Sequence, residues 1–364
     1  MDDEFLQGRL GERQSRNAMR DLRLTQGMVD FCSNDYLGLA RRTLPPENWQ
    51  TLRQGSSGSR LLAGNYPLIE KAESEIAAFH GADSALIFNS GYDANLGLFS
   101  CVPRRGDTIL YDYLSHASIR DGIRLSNAQS IFFQHNNLDD VEKKLKSAQG
   151  RIFLATESVF SMDGDMAPLA GLVDLARRFG ALLIVDEAHA TGVLGRQGEG
   201  LLQSLGLEGD CFARIHTFGK GLGCHGAAIL GSASLRRYLI NFCRPFIYTT
   251  ALPEISVETI REAYRRFPGM VTERESLAAL VKRFQEAELP LEKLPSSTPI
   301  QAVILPGNAR VKAMASGLAD RGLDVRPILY PTVPEGRERL RIVLHSFNTV
   351  GELDRLVECL GAEK

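Results

Sequence analysis

Lys220 sits in the run Thr217-Phe218-Gly219-Lys220-Gly221-Leu222-Gly223, an otherwise uncharged stretch crowded with glycines. Surface lysines rarely have such surroundings, and burial or a nearby cation turns an amine there into a nucleophile. Asp186, 34 residues earlier, follows the apolar stretch Ala181–Val185. A carboxylate at that place suits a pyridine nitrogen that has to stay protonated, although a strand-end carboxylate capping a loop reads the same way. His189, three residues further on, could reach a phenolic oxygen on the same ring. His116, in Leu114-Ser115-His116-Ala117-Ser118, could stack on the ring face. Either histidine taken alone is more often structural. Asn89-Ser90-Gly91-Tyr92-Asp93 lies between an apolar strand and an apolar helix. It offers a Ser-Gly turn and a helix start whose N–H groups suit a phosphate, or an ordinary strand–helix turn. Taken together, these residues fit an enzyme whose electron-sink cofactor is pyridoxal 5'-phosphate (PLP), held as a Schiff base on Lys220.

Two other patterns lead nowhere. Val185-Asp186-Glu187-Ala188-His189 looks like the acidic motif of a helicase ATPase. The phosphate loop that reading requires is missing, since Arg214 stands where its first glycine belongs and Gly221 where its Ser/Thr belongs. Gly221-Leu222-Gly223-Cys224-His225-Gly226 matches a dinucleotide turn, but the strand-like Ala227-Ala228-Ile229-Leu230 follows instead of a helix. No acidic residue lies about 20 positions further on to hold a ribose.

The elements that would carry these residues alternate. A helix opening at Asn65 and Pro67 and closed by Gly81 precedes a strand at 85–88. Further short apolar strands are expected at 108–111, 131–133, 152–155, 182–185 and 214–218, with helices at 94–99, 138–146 and 169–178. Near-continuous apolar strands separated by helices indicate α/β architecture with a mainly parallel central sheet flanked by helices. After about residue 255 come charged helices (255–267 and 273–288), strands at 302–305 and 340–344, and a helix at 310–321 between those strands. That pattern indicates a smaller α+β C-terminal domain. The expected division is a helical N-terminal segment at 1–38, a large domain at 39–255 and the small domain at 256–364. In the N-terminal segment Phe5, Leu6, Leu10, Leu22 and Leu24 are the expected buried positions.

The chain has 364 residues, 44% hydrophobic and 24% charged, with a net charge of -2, so nothing argues for nucleic acid or a membrane surface. No apolar run reaches the roughly 18 residues of a spanning helix. The start, Met1-Asp2-Asp3-Glu4, lacks a signal-peptide core. Six cysteines without a Cys-x-x-Cys pair indicate neither zinc nor a disulfide framework and read as reduced thiols of a cytoplasmic protein. Arginines at 9, 13, 16, 20 and 23 form either a patch for an acidic carrier protein or a solvated helix face.

Six stretches in order resemble the α-oxoamine synthases, PLP enzymes of the aspartate-aminotransferase-like fold (PLP fold type I). They are Ser33-Asn34-Asp35-Tyr36-Leu37-Gly38, Gly55-Ser56-Ser57-Gly58-Ser59-Arg60, Leu114–Ser118, Glu157-Ser158-Val159-Phe160-Ser161-Met162-Asp163-Gly164-Asp165, Asp186-Glu187-Ala188-His189-Ala190-Thr191-Gly192 and Thr217–Lys220. The resemblance runs from about Phe31 to about Asn348. It implies that Lys220 is the Schiff-base lysine, Asp186 the pyridinium partner, His189 the partner of the phenolic oxygen and His116 the stacking residue. It likewise implies Ser161 as a cofactor contact, Thr217 as a phosphate ligand, and Ser90, Gly91 and Tyr92 as the phosphate turn. Thr249 and Thr250 match a pair that reaches the phosphate of the other subunit, which implies a homodimer with shared active sites. Asn34 and Arg341 match the pair that holds an amino-acid carboxylate, a task suited to the planar fork of arginine. Arg339 shares a strand face with Arg341, so either could be the ligand. Glu157 matches a family position without a derivable role. Within the family, the short N-terminal segment and the run Arg326–Pro334 point to the 8-amino-7-oxononanoate-forming branch. That branch joins L-alanine to a pimeloyl group carried on coenzyme A or an acyl carrier protein, in biotin biosynthesis. Ser56-Ser57 depart from the glycine many members carry there, which leaves the acyl-chain preference open. Branches using glycine (2-amino-3-ketobutyrate ligase, 5-aminolevulinate synthase) or serine (sphingoid-base synthases) are the alternatives. A catalytically idle binding subunit is the reading outside the class, and such a relative would be expected to lose Lys220 or Asp186.

Overall fold

The computed structural model describes residues 3–22, 24–41 and 49–362; Met1, Asp2 and Arg23 lie outside the described residues. In chain order the first elements are α1 (Glu4–Ser15), β1 (Val29–Asp30), α2 (Pro67–Phe79), β2 (Ser84–Phe88), α3 (Gly91–Cys101), β3 (Thr108–Asp112), α4 (Ala117–Leu125), β4 (Gln129–Phe133), α5 (Leu138–Leu145) and β5 (Ile152–Glu157). Then come α6 (Leu169–Phe179), β6 (Leu182–Asp186), α7 (Leu201–Ser204), β7 (Ala213–Thr217), β8 (Ala227–Gly231), α8 (Ala233–Phe242), α9 (Arg244–Ile247), α10 (Glu254–Arg266) and α11 (Val271–Glu286). The last are β9 (Ile300–Ile304), α12 (Asn308–Asp320), β10 (Leu323–Asp324), β11 (Arg326–Ile328), β12 (Arg339–Val343) and α13 (Val350–Gly361). Local chemistry sets many of the ends. Pro67 opens α2, where its missing N–H costs nothing. Ser90 caps α3 and Asn137 caps α5. Thr349 and Glu352 form a capping box on α13, and Gly180 ends α6 in the left-handed region at φ 64°.

The chain divides into two compact units. One gathers the chain from its start to Tyr36, Met162–Asp165, and the chain from Glu275 onward; the other gathers Leu37–Ser161 and Met166–Arg274. The second boundary falls at 274/275, not at the expected 255/256. The reason is packing: Val257, Ile260, Ala263 and Tyr264 of α10 share one core with Ile69, Ala72 and Ile76 of α2. The N-terminal segment is not a separate body either, because β1 pairs in parallel with β10.

The larger unit is built on a seven-stranded sheet in the order β2-β8-β7-β6-β5-β3-β4. The five strands from β7 to β4 run parallel, β8 is antiparallel to β7, and β2 is antiparallel to β8. Two reversals restore direction, so the carboxyl ends of β2, β7, β6, β5 and β3 meet at one edge. Alternation sorts the strands onto two cores. Ile184 and Ala155 face Leu98 of α3 and Ile119 of α4, whereas Leu183, Val185 and Leu154 face Val141 of α5 and Leu172 of α6. Each fully buried aliphatic side chain contributes about 1.5–3 kcal/mol relative to exposure. In the smaller unit β11, β12 and β9 form an antiparallel sheet.

The expected burial of the first apolar residues is overturned. Phe5, Leu6 and Leu10 of α1 are exposed, as are Leu22 and Leu24. α1 has no buried residue, since three apolar side chains among Glu4, Arg9, Glu12 and Arg13 do not make a stripe wide enough to dock. Ser57 occupies the left-handed region at φ 58°, the conformation glycine adopts most easily. Among the described residues no helix is long and apolar enough to cross a membrane.

Candidate active site

The carboxyl edge of the larger unit brings Lys220, Asp186, His189, His116 and Thr217 together, with the Ser90–Tyr92 turn. Asp186 is the last residue of β6 and is 5% exposed. Its Oδ2 accepts from Asn95 Nδ2 at 2.7 Å and its Oδ1 from the backbone N–H of Ala188 at 2.9 Å. These two donors fix the orientation of the carboxylate. His189 lies one turn beyond, and its Nε2 is 2.8 Å from Lys220 Nζ. Lys220 itself follows β7 in the glycine-rich connection to β8, half-buried.

His116 caps the start of α4. Its Nδ1 accepts from the backbone N–H of Ser118 at 3.2 Å and lies 2.8 Å from Ser118 Oγ. Ser118 Oγ accepts from the same Asn95 amide, at 3.1 Å, that serves Asp186. An accepting Nδ1 leaves the proton of the neutral ring on Nε2, an assignment drawn from this network. Burial holds His116 below the ordinary histidine range; the Asp186 carboxylate opposes this and Lys220 adds to it. Glu157 closes β5 in register with Asp186 and accepts the backbone N–H of His116 at 2.5 Å.

The turn after β2 leads into α3. Ser90 Oγ accepts from the Asp93 N–H at 3.0 Å and donates to Asp93 Oδ2 at 2.9 Å. The N–H groups of Gly91 and Tyr92 are in the first turn and have no carbonyl one turn back to bond. A methyl group on Gly91 would stand 2.3 Å from Thr217 Oγ1, so the start of α3 approaches the end of β7 with no room for a side chain. That close cradle of N–H groups and a threonine hydroxyl suits a phosphate. The Tyr92 side chain is exposed and its hydroxyl donates to Asp121. Asn89 Nδ2 donates to Thr249 Oγ1 at 3.0 Å and to the Thr250 carbonyl at 2.7 Å, which holds that pair beside the same turn. Ser161 is half-buried in the segment after β5.

Asn34 and Arg341 belong to the smaller unit and meet there, Arg341 Nη2 donating to Asn34 Oδ1 at 2.9 Å. The Tyr36 hydroxyl also donates to Asn34 Oδ1, at 3.3 Å. Arg339, two residues away on β12, is paired with the Asp163 carboxylate and donates to the Arg337 carbonyl.

A phosphorylated pyridine aldehyde fits the larger unit's set. It requires an amine, a buried carboxylate, a neutral ring to stack on and a phosphate cradle, and all four lie at this edge. Asn95 and Ser118 are missing from the sequence reading. The signal was an amide in the apolar helix 94–99, a polar group that burial obliges to find a partner.

Residues 26–360 match the family model described as aminotransferase class I and II. The chain is 42% identical to 8-amino-7-oxononanoate synthase of Emericella nidulans, covering 93% of this chain and 89% of the relative. It is 40% identical to the same-named protein of Chlorobaculum parvum, over 92% and 88%. Among solved structures, serine palmitoyltransferase of Sphingomonas wittichii superposes with a TM-score of 0.91 at 27% identity, covering 99% of this chain and 96% of that one. The 8-amino-7-oxononanoate synthase of Francisella tularensis gives 0.80 at 30%, over 92% and 97%. The aspartate-aminotransferase-like fold is thereby shown, and the chain belongs to the class I and II aminotransferase family, among its α-oxoamine synthases.

Proposed function

We propose that the chain joins L-alanine to a pimeloyl thioester, giving 8-amino-7-oxononanoate, carbon dioxide and free thiol, the condensation that feeds biotin biosynthesis. The observation that carries this reading is the approach of Lys220 Nζ to His189 Nε2 beside the oriented carboxylate of Asp186. The relatives named 8-amino-7-oxononanoate synthase supply the substrates.

PLP would be held by Asp186 at its ring nitrogen, His116 on its face, His189 and Ser161 at its side, and Ser90, Gly91, Tyr92 and Thr217 at its phosphate. When bound, it supplies an electron sink for the charge left at an amino acid's Cα. Lys220 Nζ takes the Cα proton of alanine. Asp186 holds the proton on the ring nitrogen. His116, neutral and donating through Nε2, supplies a proton to the oxygen of the condensing carbonyl. Arg341 and Asn34 hold the alanine carboxylate; Arg339 is already neutralised by Asp163. The family resemblance, which gives Thr249 and Thr250 to the phosphate of a second copy, supports a homodimer with shared sites as the working form, and the cytoplasm is its proposed location. Coenzyme A and an acyl carrier protein are both admitted as the acyl carrier.

Purified protein is expected to be yellow, and Lys220→Ala to lose both the visible absorbance of the bound cofactor and turnover. An unchanged spectrum in that variant sinks the assignment. The fit to serine palmitoyltransferase makes a serine-using synthase the second reading. Offering alanine, glycine or serine with a panel of acyl thioesters and weighing the product by mass spectrometry separates the two.

A further inference from the structure

Glu157 is a buried acid at this edge, next to Asp186, to which the chemistry above gives no task. It is 3% exposed, and it ends β5 with its Cα paired to that of Asp186 at the end of β6. On their strands Glu157 follows Phe153 and Ala155, and Asp186 follows Ile184; all of these face the core of α3 and α4. The two carboxyl groups therefore stand side by side on one face. Their donors are separate: Asp186 is held by Asn95 and Ala188, Glu157 by the His116 N–H. Two neighbouring carboxylates in an apolar setting do not both carry a full charge.

The charged and titratable groups around Glu157 come from each neighbouring element. β6 presents Asp186, and the turn after it His189. β3 presents Asp112, which is met by His135 Nδ1 at 2.9 Å. The connection after β7 presents Lys220, and α4 presents His116, which reaches Glu157 through its backbone. Burial first and the Asp186 charge second push Glu157 up to about 8, against the His116 hydrogen bond and Lys220.

We propose that Glu157 is a positioning residue: its carboxyl anchors the backbone of His116 and, kept neutral beside Asp186, leaves the negative charge of the pair on Asp186. The inference rests on the PLP reading of the edge. Asp186 then remains the anion for the ring nitrogen, and the His116 ring is aimed by an N–H that has a fixed acceptor. Removing the proton from Glu157 adds a second anion to the edge. That charge favours the ammonium form of Lys220 and so opposes its work as a base.

The test uses the holoenzyme and two readouts other than turnover. Infrared difference spectra between wild type and Glu157→Gln should show a protonated-carboxyl band in the wild type. The band should be present at pH 6.5 and lost by about pH 9.5, around the titration near 8. Cofactor affinity should follow the anchor. Glu157→Gln, whose amide oxygen still accepts the His116 N–H, should stay within about threefold of wild type, whereas Glu157→Leu weakens binding by about tenfold or more. A missing band, or wild-type affinity in the leucine variant, overturns the role. Failure of the wild type to bind PLP at all instead refutes the cofactor reading, and the carboxyl band is still read on the same protein. If the leucine variant does not fold, the glutamine spectrum and affinity decide alone.

Discussion

Asn95 spends one amide nitrogen on two acceptors, the Asp186 carboxylate and the Ser118 hydroxyl, and so ties Asp186 to the hydroxyl that His116 Nδ1 meets. A hydrogen bond to a charged group is worth about 1.5–3 kcal/mol. Asn95→Ala should therefore weaken cofactor binding by roughly 10–100-fold, and Asn95→Asp should weaken it further by placing a third carboxylate beside Asp186 and Glu157. Equilibrium dialysis of the two variants checks the order; an unchanged constant for Asn95→Ala removes it from the site. At this scale the sequence was legible wherever a residue type carries its own chemistry. Lys220 among glycines, Asp186 at a strand end and His116 after the strand ending at Tyr111 stand out in the sequence, and the fold brings the three to one edge. Asn95 and Ser118 were not, because an amide and a hydroxyl gain their meaning only from the partners that folding brings. Arg339 and Arg341 were indistinguishable for the same reason. Folding pairs Arg339 with the Asp163 carboxylate and sets Arg341 against the Asn34 amide.

At the scale of elements, the edge depends on how closely α3 meets β7. The methyl group of Gly91→Ala would fall on Thr217 Oγ1, and forcing one carbon into such a contact costs about 1–3 kcal/mol. The strain lands on the cradle itself, so cofactor affinity should fall by roughly tenfold or more while far-UV circular dichroism stays native. Full affinity in Gly91→Ala shows that the helix start can move away. Most strands were readable as short apolar runs bounded by turns. The reversal of β8, which lies between β2 and β7, was not, because hydrophobic periodicity carries no direction. The helices of the N-terminal segment were overread: α1 has the pattern of a helix but no apolar face broad enough to be buried.

Across the whole molecule, stability should fall on the acid side. His80 and His216 are fully buried with ring centroids 3.9 Å apart. His80 meets Gln203 and the Tyr264 hydroxyl, and His216 meets Thr191. Burial pushes His80 down to about 3 and His216 well below the histidine range. Both are neutral in the fold and take up protons below about 6.5 once unfolded, so their contribution is complete above that pH and is lost as pH falls toward 3. Each adds a slope of about 1.4 kcal/mol per pH unit across that window. Glu157 works in the other direction, its contribution being complete below about 4.5 and lost as pH rises through 8. Denaturant melts from pH 4 to 9 should show a maximum between these limits, and His80→Gln should flatten the acid limb by about one proton; an unaltered acid limb refutes the account. The division into units was only partly legible, because contacts such as those of α10 with α2 join segments far apart in sequence. The pairing of β2 has a consequence for synthesis. Its ladder partner in the sheet is β8, which is translated last of the seven strands. On the ribosome, Leu86 and Phe88 therefore emerge long before Ala227–Gly231 exists to cover that edge. Of these seven, the first strand made is among the last to be paired, and the nascent chain has to keep a sticky strand soluble until the sheet can close.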